Sequence, residues 1–361
     1  MALGLYWATA CLAAFIAVLT LDISRFFSRK NHFDVDGKTV VITGGSQGLG
    51  RGLARLLSSK GANVVIVARD QPKIDIALKY TASAAKSPQS QRFHGISADV
   101  RSPEENTRLL EEVTRWNDGQ PPDIVWANAG SSHPALFIDT TLETLRSQMD
   151  INYWAATYLA HATLRLWLKP SSTPSNIGSS DIKPAQPRHF IITGSSTCFV
   201  GVAGYAPYSP AKSALRSLAD TLRSELNLYN GYRCANPRQG PVADVKVHCV
   251  VPGTIQSPGL ERENLSKHPV TRVLEEGDPI QTEDEVAAAA VKSLESDGYL
   301  ITTQWLGHAM RAGTLGGSPR NNWFFDTVSA WVVNVAWLYI GPDMEGKVFK
   351  YGKSNEVKLP S

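Results

Sequence analysis

The chain has 361 residues, 36 Lys+Arg against 33 Asp+Glu, 43% hydrophobic residues and four Cys. That is enough for a sizeable core in one large α/β domain with extensions, and it excludes a disulfide miniprotein, a collagen-like chain or a disordered one. A net charge of +3 with 19% charged residues leaves no general footprint for nucleic acid. The mean hydropathy of −0.16 is that of a soluble protein, but it averages over segregated ends.

Met1–Leu21 holds no charged side chain and is followed by Asp22, Arg25, Arg29 and Lys30. At ~1.5 Å per residue such a helix would cover the ~30 Å of a bilayer core. A cleaved signal peptide and a buried core helix are the alternatives. The basic residues follow a long apolar run, the order of an uncleaved anchor over 1–24, and they predict a cytosolic chain downstream. Cys11, Cys198, Cys234 and Cys249 lack any regular framework, so reduced thiols are expected, and no His/Cys spacing predicts a metal.

From Asp36 the pattern changes. Candidate strands at Thr39–Thr43, Asn63–Ala68, Arg92–Ser97, Ile124–Ala127, His189–Thr193 and Val245–Val251 alternate with amphipathic stretches. Such alternation predicts a doubly wound, Rossmann-like parallel sheet covered on both faces, in a catalytic domain over 36–265. The Ser/Pro-rich stretch 169–188 reads as a surface insertion. In the extension 266–361, Glu283–Ser296 reads as a helix. The uncharged run 327–342, within an apolar segment at 323–341, is short for a span. A short span, an interfacial helix, and packing on the core or in a homodimer interface all remain open.

The first strand leads into Gly44, Ser46, Gln47, Gly48, Leu49 and Gly50, a T-G-x-x-x-G-x-G turn before a helix at Leu49–Lys60. Gly44 turns the chain off the strand, Gly48 admits a pyrophosphate and Gly50 lets the helix pack closely, so the turn predicts a dinucleotide site. The second strand ends at Ala68-Arg69, where an NAD site usually carries a carboxylate. Arg69, with Lys73 one turn on, suits the 2′-phosphate of NADPH, although Asp70 follows directly.

Further turns follow later strands. Asp99-Val100, Asn128-Ala129-Gly130 and Ser195-Ser196 all fall at strand ends, where open α/β sheets bind ligands. Tyr208 and Lys212 lie four apart on one helical face. A ketone accepting hydride needs a proton donor. A phenol with an ordinary pKa near 10 can serve if a neighbouring ammonium tunes it, and a Ser hydroxyl can hold the carbonyl oxygen.

This order of motifs resembles the short-chain dehydrogenase/reductase family over roughly residues 36–260. The resemblance implies Tyr208 as proton donor, Lys212 as modulator and nicotinamide-ribose ligand, Ser195 as the carbonyl-orienting hydroxyl, and Asn152 holding a water that relays protons to Lys212. It also implies Asp99 facing adenine. Ser196 is a second candidate for the role of Ser195. In Pro252–Ser257, which includes Thr254, Ser257 replaces the family's usual Thr. Within that family, the apolar ends, the GGSQGLG turn, Arg69 with Lys73, and Ser296–Leu300 resemble the 3-ketodihydrosphingosine reductases. That implies NADPH-dependent reduction of 3-ketosphinganine to sphinganine at the cytosolic face of the endoplasmic reticulum membrane. A membrane-bound retinoid or hydroxysteroid reductase and an inactive NADPH-binding scaffold are the alternatives.

Overall fold

The computed structural model describes residues 30–170 and 185–355. Seven strands form one parallel sheet: β1 (Thr39–Thr43), β2 (Asn63–Ala68), β3 (Phe93–Ser97), β4 (Ile124–Ala127), β5 (Arg188–Thr193), β6 (Val245–Val251) and an edge strand Leu300–Thr302, in the order β3-β2-β1-β4-β5-β6 and then that edge. The order reverses between β1 and β4, which opens a crevice at their carboxyl ends.

Both faces are covered, so the strands are apolar at nearly every position. Val41, Val65, Val125 and Ala127 point to one layer and Val40, Ile42, Ile66 and Trp126 to the other. The second layer includes α1 (Gly48–Ser59), which buries Leu49, Leu53 and Leu57 along one stripe and has Gly61 at φ +99° beyond its end. Helix α2 (Gln71–Ala82) follows β2. The first layer holds α3 (Pro103–Trp116), started by a Ser102 hydroxyl that accepts from the Glu105 amide. Then come α4 (Leu142–Met149), a π-helical turn at Asp150–Trp154, α5 (Ala155–Trp167) and the long α6 (Ser209–Ala235).

Beyond β6, a two-stranded pair of β7 (Thr254–Ile255) and β8 (Ile280–Gln281) encloses α7 (Pro258–Ser266) and α8 (Pro269–Leu274). Helix α9 (Glu283–Glu295) starts in a Thr282/Glu285 capping box and packs on the sheet beside α1. It leads to the edge strand, β9. Residues past 265 thus complete the sheet. The edge is closed by Asn321, whose side chain accepts from the Tyr299 and Leu300 amides and donates to the Leu300 carbonyl.

Helix α10 (Trp305–Gly313) is followed by α11 (Trp323–Ser354), 32 residues long. This corrects the expected fold class, which put the membrane helix at the N-terminus. Among the described residues, the helix long and apolar enough to cross a membrane is C-terminal. Counting only the charge-free run 327–342 underestimates it, because the helix continues through Pro342 into a charged last third. Residues 1–29, where the anchor was expected, and most of the 169–188 insertion lie outside the described residues. The start of α11 is held by a buried two-pronged ion pair between Arg311 and Asp326, at 2.6 and 3.1 Å.

Two buried histidines stitch β5, β6 and the β9 edge. The carbonyl of Gly298 can only accept, so His248 Nδ1 donates to it at 2.7 Å, and His248 Nε2 must accept from His189 Nδ1 at 2.9 Å. Both rings are neutral. Burial lowers the His189 pKa well below its ordinary value and that of His248 to about 4. The unfolded chain therefore binds more protons than the folded one between about pH 6.5 and 4. Stability measured by urea titration is expected to fall as pH drops through that window, by on the order of 3 kcal/mol for His248 alone. A flat profile there would contradict this pairing.

Candidate active site

The strand ends are tied together by one chain of hydrogen bonds. Thr43 Oγ1, ending β1, accepts from the amides of Asn128 and Ala129 at 3.0 and 3.1 Å. Asn128 Nδ2 returns to the Thr43 and Gly44 carbonyls at 3.2 and 3.4 Å. Its Oδ1 accepts from Thr193 Oγ1, which also receives the Trp126 indole N–H. The Thr193 carbonyl accepts from Lys212 Nζ at 3.0 Å. The glycine turn and the site lysine are thus fixed to the same three strands.

Gly44 turns off β1 at φ +66°. A Cβ on Gly50 would lie 2.3 Å from the Gly44 carbonyl oxygen and 2.7 Å from Asn128 Nδ2, so that position sits behind the turn and closes it. Ser46, Gln47, Gly48 and Leu49 line a cavity of about 790 Å³. Gln47 precedes α1 without capping it by its side chain, and the first turn carries no acidic residue. The amides at this helix start are free to meet an anion.

Across the rim lie Arg69, Lys73, Asp99, Val100, Asn128, Ala129, Gly130 and Thr254. Asp70, the carboxylate that complicates the cofactor choice, is turned to α2: it caps the helix through the Lys73 amide and pairs with Lys73 Nζ at 3.1 Å. These bonds to Lys73 hold its carboxyl below the usual range. The Arg69 guanidinium has no hydrogen-bonded or ion-paired partner among the described residues, although its charge reaches Asp99. Asp99 itself is gripped by Arg101 Nε at 2.9 and 3.0 Å. Uncapped amides and an unengaged guanidinium fit a pyrophosphate and a 2′-phosphate.

Ser195, Tyr208 and Lys212 line the same cavity. Tyr208 stands just before the first turn of α6, and the Lys212 ammonium lies 5.5 Å from the centre of its ring. Burial pushes the Tyr208 phenol well above its ordinary value, a hydrogen bond with Ser195 opposing it, and pulls Lys212 down to about 8. Burial thus dominates the tuning expected from Lys212, and the phenol stays protonated. Both Ser195 and Ser196 line the cavity; Ser195 is the one whose side chain opposes the rise of the Tyr208 phenol, and its Oγ accepts from the Thr197 amide and hydroxyl. Asn152 does not line the cavity. The π-helical turn points it inward behind Gly130, where its Oδ1 accepts from the Ser131 amide at 3.1 Å. A Cβ on Gly130 would touch both Asn152 Oδ1 and Lys212 Nζ, at 2.8 and 3.3 Å.

A family model described as short chain dehydrogenase matches residues 38–267. A 3-ketodihydrosphingosine reductase of Aspergillus fumigatus is 47% identical over 341 residues, covering 94% of this chain and 91% of the relative. One of Neurospora crassa is 39% identical over 348 residues, covering 96% and 91%. The chain belongs to the short-chain dehydrogenase family, among the 3-ketodihydrosphingosine reductases. A crystal structure of a short chain dehydrogenase/reductase from Burkholderia phymatum with NAD shares the fold, with TM-score 0.56 and 18% identity over 75% of this chain and 90% of that one.

Two parts of this short-chain dehydrogenase's site escape a sequence reading. Tyr205 presents its phenol to Glu263 and Glu275 (2.6 Å to the latter), and the buried Lys267 ammonium pairs with both, at 3.3 and 2.6 Å. With Asp278, these carboxylates line the cavity, Arg262 lying exposed at the rim. The i,i+4 spacing of Glu263 and Lys267 was the only local signal. The second part is the inner face of α11, which forms the far wall. Arg69→Glu is expected to raise the Michaelis constant for NADPH by about tenfold or more while sparing that for NADH. Equal effects in steady-state assays with the two cofactors would refute the phosphate role.

Proposed function

We propose that this chain reduces 3-ketosphinganine to sphinganine with NADPH at the cytosolic face of the endoplasmic reticulum membrane. The observation that carries the reading is that the protonated Tyr208 phenol, Ser195 and Lys212 share a cavity with an unengaged Arg69 at one end and an apolar helix wall at the other. The relatives bearing the same reductase name match nearly the whole chain.

NADPH, when bound, supplies the hydride. Gly44, Ser46, Gln47, Gly48, Leu49 and Thr254 would hold it, with Arg69 and Lys73 at its 2′-phosphate and Asp99, Val100, Ala129 and Gly130 along its length. Gly50 acts behind them, on the shape of the turn, and Asn128 both lines the cavity and ties the turn to β4 and β5. Ser195 orients the substrate carbonyl, and Tyr208 releases its proton to the oxygen as negative charge builds there. Lys212, anchored on Thr193, keeps a positive charge beside the phenol and favours its transient ionised form. Asn152, behind Gly130, holds the proton path to Lys212 in place.

The wall of Glu263, Glu275 and Asp278 favours this substrate over a retinoid or steroid ketone. Glu263 and Glu275 flank the buried Lys267 ammonium and Asp278 adds a third carboxylate, which with Arg262 at the rim leaves the wall with a net negative charge. A 2-amino ketone brings a positive charge that the rival substrates lack. The C-terminal helix supports a membrane address. Unpaired Cys198, Cys234 and Cys249 suit a reducing compartment.

The test is NADPH oxidation by the detergent-solubilised protein given 3-ketosphinganine, retinal or a steroid ketone. Turnover of the amino ketone alone is expected, with Tyr208→Phe at least ~100-fold slower; turnover confined to retinal or the steroid would overturn the reading. Because Lys212 loses its charge above about pH 8, the rate is expected to fall on the alkaline side with a midpoint near there. A rate independent of pH from 7 to about 9.5 would contradict the role given to Lys212.

A further inference from the structure

Helix α11 has two apolar faces with different surroundings. Val333, Trp337, Ile340 and Met344 recur at spacings of four, three and four, a single stripe on a helix, and all four line the cavity that holds Tyr208 and Lys212. Leu306 and Met310 of α10 line it too. The two helices approach closely: a Cβ on Gly313 would stand 3.0 Å from Val333 Cγ1. Between Val333 and Met344 the stripe runs about 16 Å along the helix axis, the reach of a long alkyl chain rather than of a small side group. The opposite face carries Trp331, Val332, Val335, Leu338 and Tyr339, each 65–78% exposed. An apolar surface of that size left bare is costly in water and at home in lipid.

We propose that the inner stripe of α11, facing Leu306 and Met310, is the subsite for the substrate's alkyl chain, and that its outer face lies against the bilayer. The inference rests on the lipid-ketone reading above and says which residues read the chain. The occupant follows from continuity: the stripe belongs to the same cavity as the proton donor, and the same helix meets the membrane. A lipid ketone then passes from bilayer to cavity along α11 with its chain in apolar surroundings throughout. The ion pair of Arg311 with Asp326 ties the end of α10 to the start of α11.

The experiment compares 3-ketosphinganine with a short-chain analogue that keeps the amino-ketone head, using the full-length protein in detergent. Trp337→Ala is expected to raise the Michaelis constant for the long ketone about tenfold, the worth of roughly two buried methylenes, and to leave both constants for the short analogue unchanged. Met310→Ala, on the facing helix, should give the same split. Leu338→Ala, on the outer face, should move neither substrate in detergent. Equal effects of Trp337→Ala on both ketones, or no effect on either, would overturn the chain subsite while leaving the proposed reaction standing. Failure of the wild-type protein to reduce either ketone would overturn both.

Discussion

The site depends on one hydrogen-bond knot at the point where strand order reverses. Asn128 binds the carboxyl ends of β1 and β5 to that of β4, and Thr193 extends the tie to Lys212. Each of these groups is wholly or partly buried, so a lost partner costs about 1–3 kcal/mol rather than being replaced by water. A parallel sheet supplies the rim by bringing every carboxyl end to one side. The knot sets where the cofactor turn and the catalytic groups stand relative to each other.

Burial is the second constraint, and it has a chemical consequence. Removing Tyr208 and Lys212 from water raises one group and lowers the other, so the pair enters the reaction with the phenol protonated and the ammonium poised close to neutrality. That suits reduction, where the phenol gives up a proton. The same dry surroundings are extended by α10 and α11, which line the cavity with apolar side chains on the side away from the cofactor.

What could be read in the sequence was set by local backbone needs. The glycine turn, Asn128-Ala129-Gly130 and the Tyr208/Lys212 spacing are legible because each lies within one turn of chain, and alternating apolar runs located six of the seven strands. The seventh, Leu300–Thr302, is three residues long and exists through partners far away: His248, Asn321 and the adjoining β6. Thr193 read as an ordinary strand residue, since its role comes from Trp126, Asn128 and Lys212. The cluster around Tyr205 and the stripe on α11 are tertiary in the same sense. Absence of charge is a poor measure of helix length here: the uncharged run 327–342 is short for a span, whereas the helix starts before it and continues through Pro342 and Asp343 to Ser354.

The central claim is that Asn128 shapes the cofactor site through the strands it joins. The most direct measurement is the NADPH dissociation constant of folded Asn128→Ala protein by fluorescence titration, with folding checked by circular dichroism. Weakening by about tenfold or more, from a turn that has lost its support, is the predicted result. Wild-type affinity in that variant would contradict the account.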